Sequence, residues 1–311
     1  MKNNLKKLFL AIFLPVLILS SLPAESSYDY KTEFRKTYKV KPGTQITVSS
    51  RNGTTNIEAW DKKEVEVFAV IGSNKSMKEL AKVGVEVTID DKEMEIETVY
   101  SEKFKENEDS DFGIWEFLKW VLKGEFTGNR VNVDYEIKVP EHVVISEVNT
   151  TNGKVFLKGT KGPSLLHTTN GEIKVEKAKG DIEARSTNGK IVIENVDGFV
   201  AAYTTNGYIK AKSEKMKELR TTNGNIEAEF KEMKEGGVKL RTTNGSITIS
   251  LPASLNTILE LRTTNGGIDA GDIAMEIISK KKNKYIKGKM GTGGEEISAS
   301  TTNGGIKIRK L

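Results

Sequence analysis

Thr168-Thr169-Asn170-Gly171-Glu172-Ile173 is one of eight copies of a phrase that returns between Thr150 and Ile306. Thr150-Thr151-Asn152-Gly153-Lys154-Val155 precedes it, and Ser186-Thr187-Asn188-Gly189-Lys190-Ile191 follows. The same Asn-Gly pair then opens at Asn206, Asn223, Asn244, Asn265 and Asn303. Successive asparagines lie 18, 18, 18, 17, 21, 21 and 38 residues apart. A short fixed period is the mark of stacked supersecondary units. The last interval is close to two periods, which implies a copy whose signature has been lost inside it.

Within one unit, Leu166 and Thr168 alternate with His167 and Thr169, and Ile173 and Val175 alternate with Glu172 and Lys174. After a second turn at Lys179-Gly180, Ile182 and Ala184 alternate with Glu183 and Arg185. This is period-two strand patterning, with one apolar and one charged face. Asn-Gly at the turn suits positive φ, which Gly adopts freely and Asn tolerates. One unit buries about four apolar side chains, less than ordering its backbone costs, so neighbours must stack.

Two topologies satisfy the alternation. In a parallel β-solenoid each copy is one coil of about 18–21 residues, and equivalent residues sit about 4.8 Å above one another. In an antiparallel meander the Asn-Gly pairs are hairpin turns two strand spacings apart. The reading favours the all-β parallel solenoid with right-handed coils. A hairpin gives no reason for two hydroxyl residues before the Asn-Gly, whereas stacked coils place like side chains in contact as ladders. Asn152, Asn170, Asn188, Asn206, Asn223, Asn244, Asn265 and Asn303 are the expected ladder.

The chain has 311 residues, with 48 Lys and Arg against 43 Asp and Glu. The surplus of five falls to two once Lys2, Lys6 and Lys7 are set aside. A mixed-charge surface follows, and no nucleic-acid partner is expected. With no cysteine, disulfides, thiolate metal sites, a thiol nucleophile and a lipoprotein anchor are excluded. Those three lysines precede an apolar run from Leu8 to Leu19, and Leu22-Pro23-Ala24 closes it. That is the layout of a secretory signal peptide over 1–24, cut after Ala24. The run is short for a bilayer span, which needs about 20 residues.

Residues 25–140 read as a β-rich cap with one or two short helices, and 141–311 as the repeat domain. Tyr28 to Gln45 is a polar lead-in, and Ile46 to Gly53 is an imperfect first copy of the repeat. Ser76 to Glu79 has capping-box spacing, which predicts a short helix over 77–83. Val85, Val87 and Ile89, then Met94, Ile96 and Thr98, predict a hairpin. A helical insert over 109–126 carries Trp115 and Trp120. It reads either as a partner or membrane-surface contact, or as a plug over the open end of the array. Lys280, Lys281, Lys282 and Lys284 sit in a late basic loop, read either as a contact for anionic polymers or lipid or as a solvated edge-blunting hairpin.

Catalytic motifs are missing. His142 and His167 are the only histidines, and HExxH, Gly-x-Ser-x-Gly and phosphate-loop patterns do not occur. Carboxylates such as Glu172 and Glu183 are candidates to face each other, with nothing to single them out. Gly266-Gly267-Ile268-Asp269 is a lone match to calcium-binding nonapeptides at the wrong period. No cofactor or metal is expected, and the chain is read as no enzyme.

With its repeated Thr-Thr-Asn-Gly-x-Ile, signal segment and Val/Ile-rich cap, the chain resembles a family of exported bacterial proteins of unknown function. That family is described as candidate adhesins with β-strand repeats. The resemblance covers roughly residues 40–310 and implies a solenoid-like domain at the cell envelope. The resulting expectation is an exported, non-catalytic adhesin-like protein, in the periplasm, at the cell surface or secreted. It binds an envelope polymer, glycan or protein through outward rows such as Lys174, Glu183 and Arg185. The alternatives are a self-associating scaffold or envelope-stress accessory and a glycan-active enzyme on a β-helix.

Overall fold

A computed structural model describes residues 28–80, 82–100, 131–233 and 235–311. The expected helical insert with Trp115 and Trp120 and the signal segment lie outside these residues. The described chain is all-β and mostly parallel. Its one α-helix is Met77–Leu80, inside the span that the capping box predicts.

Each repeat contributes one strand segment to each of two stacks, continuous in Ile191–Asn206 and Ile209–Arg220, and each segment of the central repeats pairs in parallel with its copy in the next repeat. Ser164–Thr168 lies between Val144–Thr150 and Ile182–Asn188, with Leu166 opposite Val148 and Ala184. Ile173–Glu176 lies between Val155–Lys158 and the start of Ile191–Asn206, with Ile173 opposite Val155 and Ile191. Direct parallel partnership of equivalent residues excludes the meander, whose equivalent turns stand two strands apart. Two strand stacks result, and their inner faces meet. One interior row of the second stack runs Val155, Ile173, Ile191, Ile209, Ile226, Ile247 and Ile306. All seven are at most 1% exposed, a continuous row of buried branched side chains at strand spacing.

The ends depart from sequence order. At the far end, Val238–Arg241 pairs with Glu296–Thr301, and that strand pairs with Thr257–Thr263. The last coil of the chain therefore sits inside the array, between the coils of Asn244 and Asn265. Residues between them form an antiparallel hairpin, Glu276–Lys281 with Tyr285–Met290, docked on Thr257–Thr263. This corrects the expectation of a lost copy in the 38-residue interval: the interval holds a hairpin and a return, not a degenerate coil.

The opening end has the same arrangement. The strands Gln45–Ser49 and Thr55–Trp60 stack on the repeats. Glu93–Tyr100 and Val131–Pro140, later in the chain, lie outside them. Val83–Asp90 then closes the first stack as the expected hairpin, and Glu64–Ser73 with Tyr30–Lys39 closes the second, all antiparallel. The polar lead-in is thus partly a strand, because Phe34 and Tyr38 alternate onto the core. Among the described residues the closing strands Tyr30–Lys39 and Val83–Asp90 each pair on one side only and are mostly solvent-facing, with Lys31, Glu33, Arg35, Lys36 and Glu86 among their residues, which blunts the edges they leave.

Candidate functional site

The recurring geometry of the motif is a ladder. The Nδ2 of each asparagine donates to the Oδ1 of its neighbour at 2.7–2.9 Å. The order in space is Asn52, Asn152, Asn170, Asn188, Asn206, Asn223, Asn244, Asn303, Asn265. In seven of the eight motifs the first hydroxyl residue donates to a neighbouring glycine carbonyl, as Thr168 does to Gly153 at 2.9 Å and Ser186 to Gly171 at 3.1 Å, while Thr150 donates to the Arg51 carbonyl at 3.5 Å. These carbonyls are thereby satisfied at the turn, where the strand ladder stops.

The glycine has another role than the sequence suggests. None of the eight motif glycines has positive φ, so the left-handed turn is a correction. A Cβ on Gly189 would lie 1.7 Å from the Gly171 carbonyl oxygen, and one on Gly171 1.9 Å from that of Gly153. Close coil-to-coil approach, with no room for a methyl, is what demands glycine there.

The two outer faces differ in charge. On the second stack, acids and bases neutralise one another across and along strands. Lys158 meets Glu58 at 2.6 Å, Lys210 meets Glu194 at 2.7 Å and Lys212 meets Glu229 at 3.0 Å. The Lys210 contact holds the Glu194 carboxyl below its usual range. Lys174 belongs to this face and contacts Glu176. It is therefore not on one surface with Glu183 and Arg185, which belong to the first stack.

The first stack carries a row of cations. Register places His167, Arg185, Tyr203, Arg220 and Arg241 directly beside one another, followed by Ser300, Arg262 and Tyr285. The guanidinium of Arg185 lies 4.4 Å from the Tyr203 ring centroid, and that of Arg262 5.4 Å from Tyr285. Glu183 and Glu260, two residues before, hold these two arginines at 2.6 and 3.4 Å. Such contacts fix the guanidinium planes against aromatic faces. Arg220 and Arg241 are neighbours, both exposed, and their guanidinium groups have no partner among the described residues. Burial first, then the charge of Arg185, lowers the His167 pKa. Burial, with Glu218 beside it, pushes the Tyr203 hydroxyl up to about 12. Alongside the row, Ser146, Pro163, Leu165, Phe199, Ala201 and Lys217 help to line an open depression of about 490 Å³.

The sequence holds a signal for this row that the alternation argument passes over: Arg stands immediately before the motif at 185, 220, 241 and 262. Glu172 and Glu183 do not face each other; Lys190 holds the first at 3.0 Å and Arg185 the second at 2.6 Å. Among the described residues no group of three or more His, Asp or Glu is placed to hold a metal ion. Lys281 and Lys282 are exposed at the hairpin tip. Lys284 instead turns back, its Nζ donating to the Gly266 carbonyl at 2.6 Å. It does for the coil of Asn265 what the motif hydroxyl does for the others.

Kinship is carried by the second half of the repeats. Residues 199–309 match the toastrack family, DUF4097. Its match takes in five ladder asparagines, from Asn206 to Asn303. The same Asn-Gly phrase continues upstream of the match as far as Asn152. No curated protein matches the chain. Among solved structures, a candidate cell-adhesion protein of Clostridium sporogenes ATCC 15579 is 14% identical, over 91% of this chain and 100% of that one, with TM-score 0.28. A candidate adhesin of Bacteroides fragilis NCTC 9343 is 11% identical, over 90% and 97%, with TM-score 0.45. A candidate lipid-binding protein of Parabacteroides distasonis ATCC 8503 is 11% identical, over 90% and 96%, with TM-score 0.43. At these scores no residue role passes from them to the repeats described here.

Proposed function

We propose that the protein is an exported, non-catalytic β-solenoid with right-handed coils that binds an envelope polymer, glycan or protein through the outer face of its first stack. The observation that carries this reading is the contrast between the faces. The second stack neutralises its own charges, whereas the first presents neighbouring arginines without acidic partners. Contacts repeated at strand spacing add up along one ligand, which suits weak individual interactions. Export rests on the signal segment over 1–24, with cleavage after Ala24.

Pull-down of envelope fractions by the purified chain tests the reading. Binding is expected to be lost when the first-stack arginines are reversed to glutamate and kept when second-stack lysines are reversed. No binding to any envelope fraction contradicts it. Mass spectrometry of the secreted chain, reading an N-terminus at Glu25, tests export.

A second reading is favoured by Ile277 and Ile278, which are 49% and 54% exposed on the last strand of the first stack. Here the rods self-associate through that end. Light scattering distinguishes it: a chain monomeric at high concentration excludes the scaffold.

A further inference from the structure

The ligand class follows from what the arginine row can hold, on the understanding that the first-stack face is the binding face. Arg220 and Arg241 stand on adjacent strands, about 4.8 Å apart by strand spacing. Two like charges at that distance repel, and neither has an acidic partner among the described residues. An anion bridging them relieves the repulsion, and a planar carboxylate matches the guanidinium fork on both sides. Arg185 and Arg262, fixed against Tyr203 and Tyr285, extend the same line in both directions. The line runs across six successive strands from Arg185 to Arg262, so it suits a chain and not a small molecule.

The depression beside the row adds a second requirement. Pro163, Leu165, Phe199 and Ala201 give it apolar flanks next to Glu183, the residue that holds Arg185. A ligand that follows the row must therefore bring carboxylates to the arginines and a ring with apolar C–H faces to this depression. In an extended 1,4-linked pyranose chain alternate rings present their carboxylates to the same side, about two strand spacings apart, so a carboxylate shared by Arg220 and Arg241 is followed in one direction by one beside Arg185 and in the other by one beside Arg262. We infer that the first-stack face binds a linear uronate-containing polysaccharide laid along the stacking axis, with its carboxylates on Arg185, Arg220, Arg241 and Arg262.

Titration of the purified chain with polygalacturonate at about 0.15 M salt tests this. Fully methyl-esterified polymer and polyphosphate are the comparison probes. The expected result is binding of polygalacturonate only. Affinity falls at least about tenfold in Arg220→Gln/Arg241→Gln and stays within about twofold in the second-stack variant Lys174→Gln/Lys212→Gln. Arg220→Lys/Arg241→Lys, which keeps charge without the fork, gives intermediate affinity. Urea midpoints equal to that of the parent chain establish that the variants are folded. Equal binding of the ester, equal loss in the second-stack variant, or preference for polyphosphate overturns the inference. Envelope fractions retained without polygalacturonate binding sink this inference and leave the proposed function standing; neither binding sinks both.

Discussion

Replacing Gly189 by alanine tests the stacking most sharply. The added Cβ would lie 1.7 Å from the Gly171 carbonyl oxygen and 2.5 Å from its carbon. Both atoms are backbone, so no rotamer change relieves the clash, and the two coils must move apart locally. Overpacking of this kind costs about 1–3 kcal/mol. Separation also stretches the Asn188–Asn170 amide bond, now 2.8 Å, and the Ser186 hydroxyl bond to Gly171, now 3.1 Å. At about 0.5–1.5 kcal/mol for each bond, the total is about 2–6 kcal/mol. For a chain of this size, with a urea slope of about 3–4 kcal/mol/M, that lowers the midpoint followed by circular dichroism by about 0.5–2 M. Gly267→Ala is the control, because nothing lies within 4 Å of its Cβ, and its midpoint stays within the error of the parent. An unchanged midpoint for Gly189→Ala refutes the close approach of coils at the motif.

Other perturbations read other parts of the array. Asn188→Asp removes the donor to Asn170 and sets a carboxylate against its amide oxygen. The expected loss is about 1–3 kcal/mol near neutral pH, and urea midpoints should converge with the parent below about pH 4 as the carboxyl protonates. Thr168→Val strands the Gly153 carbonyl, which loses its 2.9 Å hydroxyl bond, and should cost about 1–3 kcal/mol in the same assay. His167 has a lowered folded pKa, so its neutral form favours folding. Stability is full above its ordinary value of 6.5 and falls as pH drops through that value, because the unfolded chain takes the proton first. His167→Gln should flatten that part of the pH profile. Lys284→Ala frees the Gly266 carbonyl in the coil of Asn265 at the end of the array, and hydrogen exchange there should quicken while the central coils keep their protection.

Much of the interior was legible in the sequence because burial imposes a period of two and stacking imposes a period of one coil. Ile173, Ile191 and Ile209 announce their own row, and a hydroxyl before each Asn-Gly announces a bond that only a neighbouring coil can accept. What the period does not encode is which neighbour. The coils of Leu259, Leu261 and of Ile297, Ala299 present the same alternation to the core, so either would stack on Val238 and Leu240. Their order is decided by the hairpin of Glu276–Lys281 and Tyr285–Met290 covering one of them, a contact between distant segments. The 38-residue interval looked like a missing copy for that reason. The glycine was misread on a similar ground: Asn-Gly is a local turn signal, and a steric demand from the next coil leaves the same letters. The arginine row was visible as Arg before the motif, but assigning it to one face needed the register. Lys174 and Arg185 look alike in sequence and lie on opposite stacks.

The stacking order itself can be read with engineered disulfides, since the chain has no cysteine. A disulfide needs Cα atoms within about 7 Å, which one strand spacing meets and two do not. Under mild oxidation Asn244→Cys/Asn303→Cys and Asn265→Cys/Asn303→Cys should each cross-link within the monomer, and Asn244→Cys/Asn265→Cys should not. Efficient cross-linking of 244 to 265 with none from 244 to 303 contradicts the account.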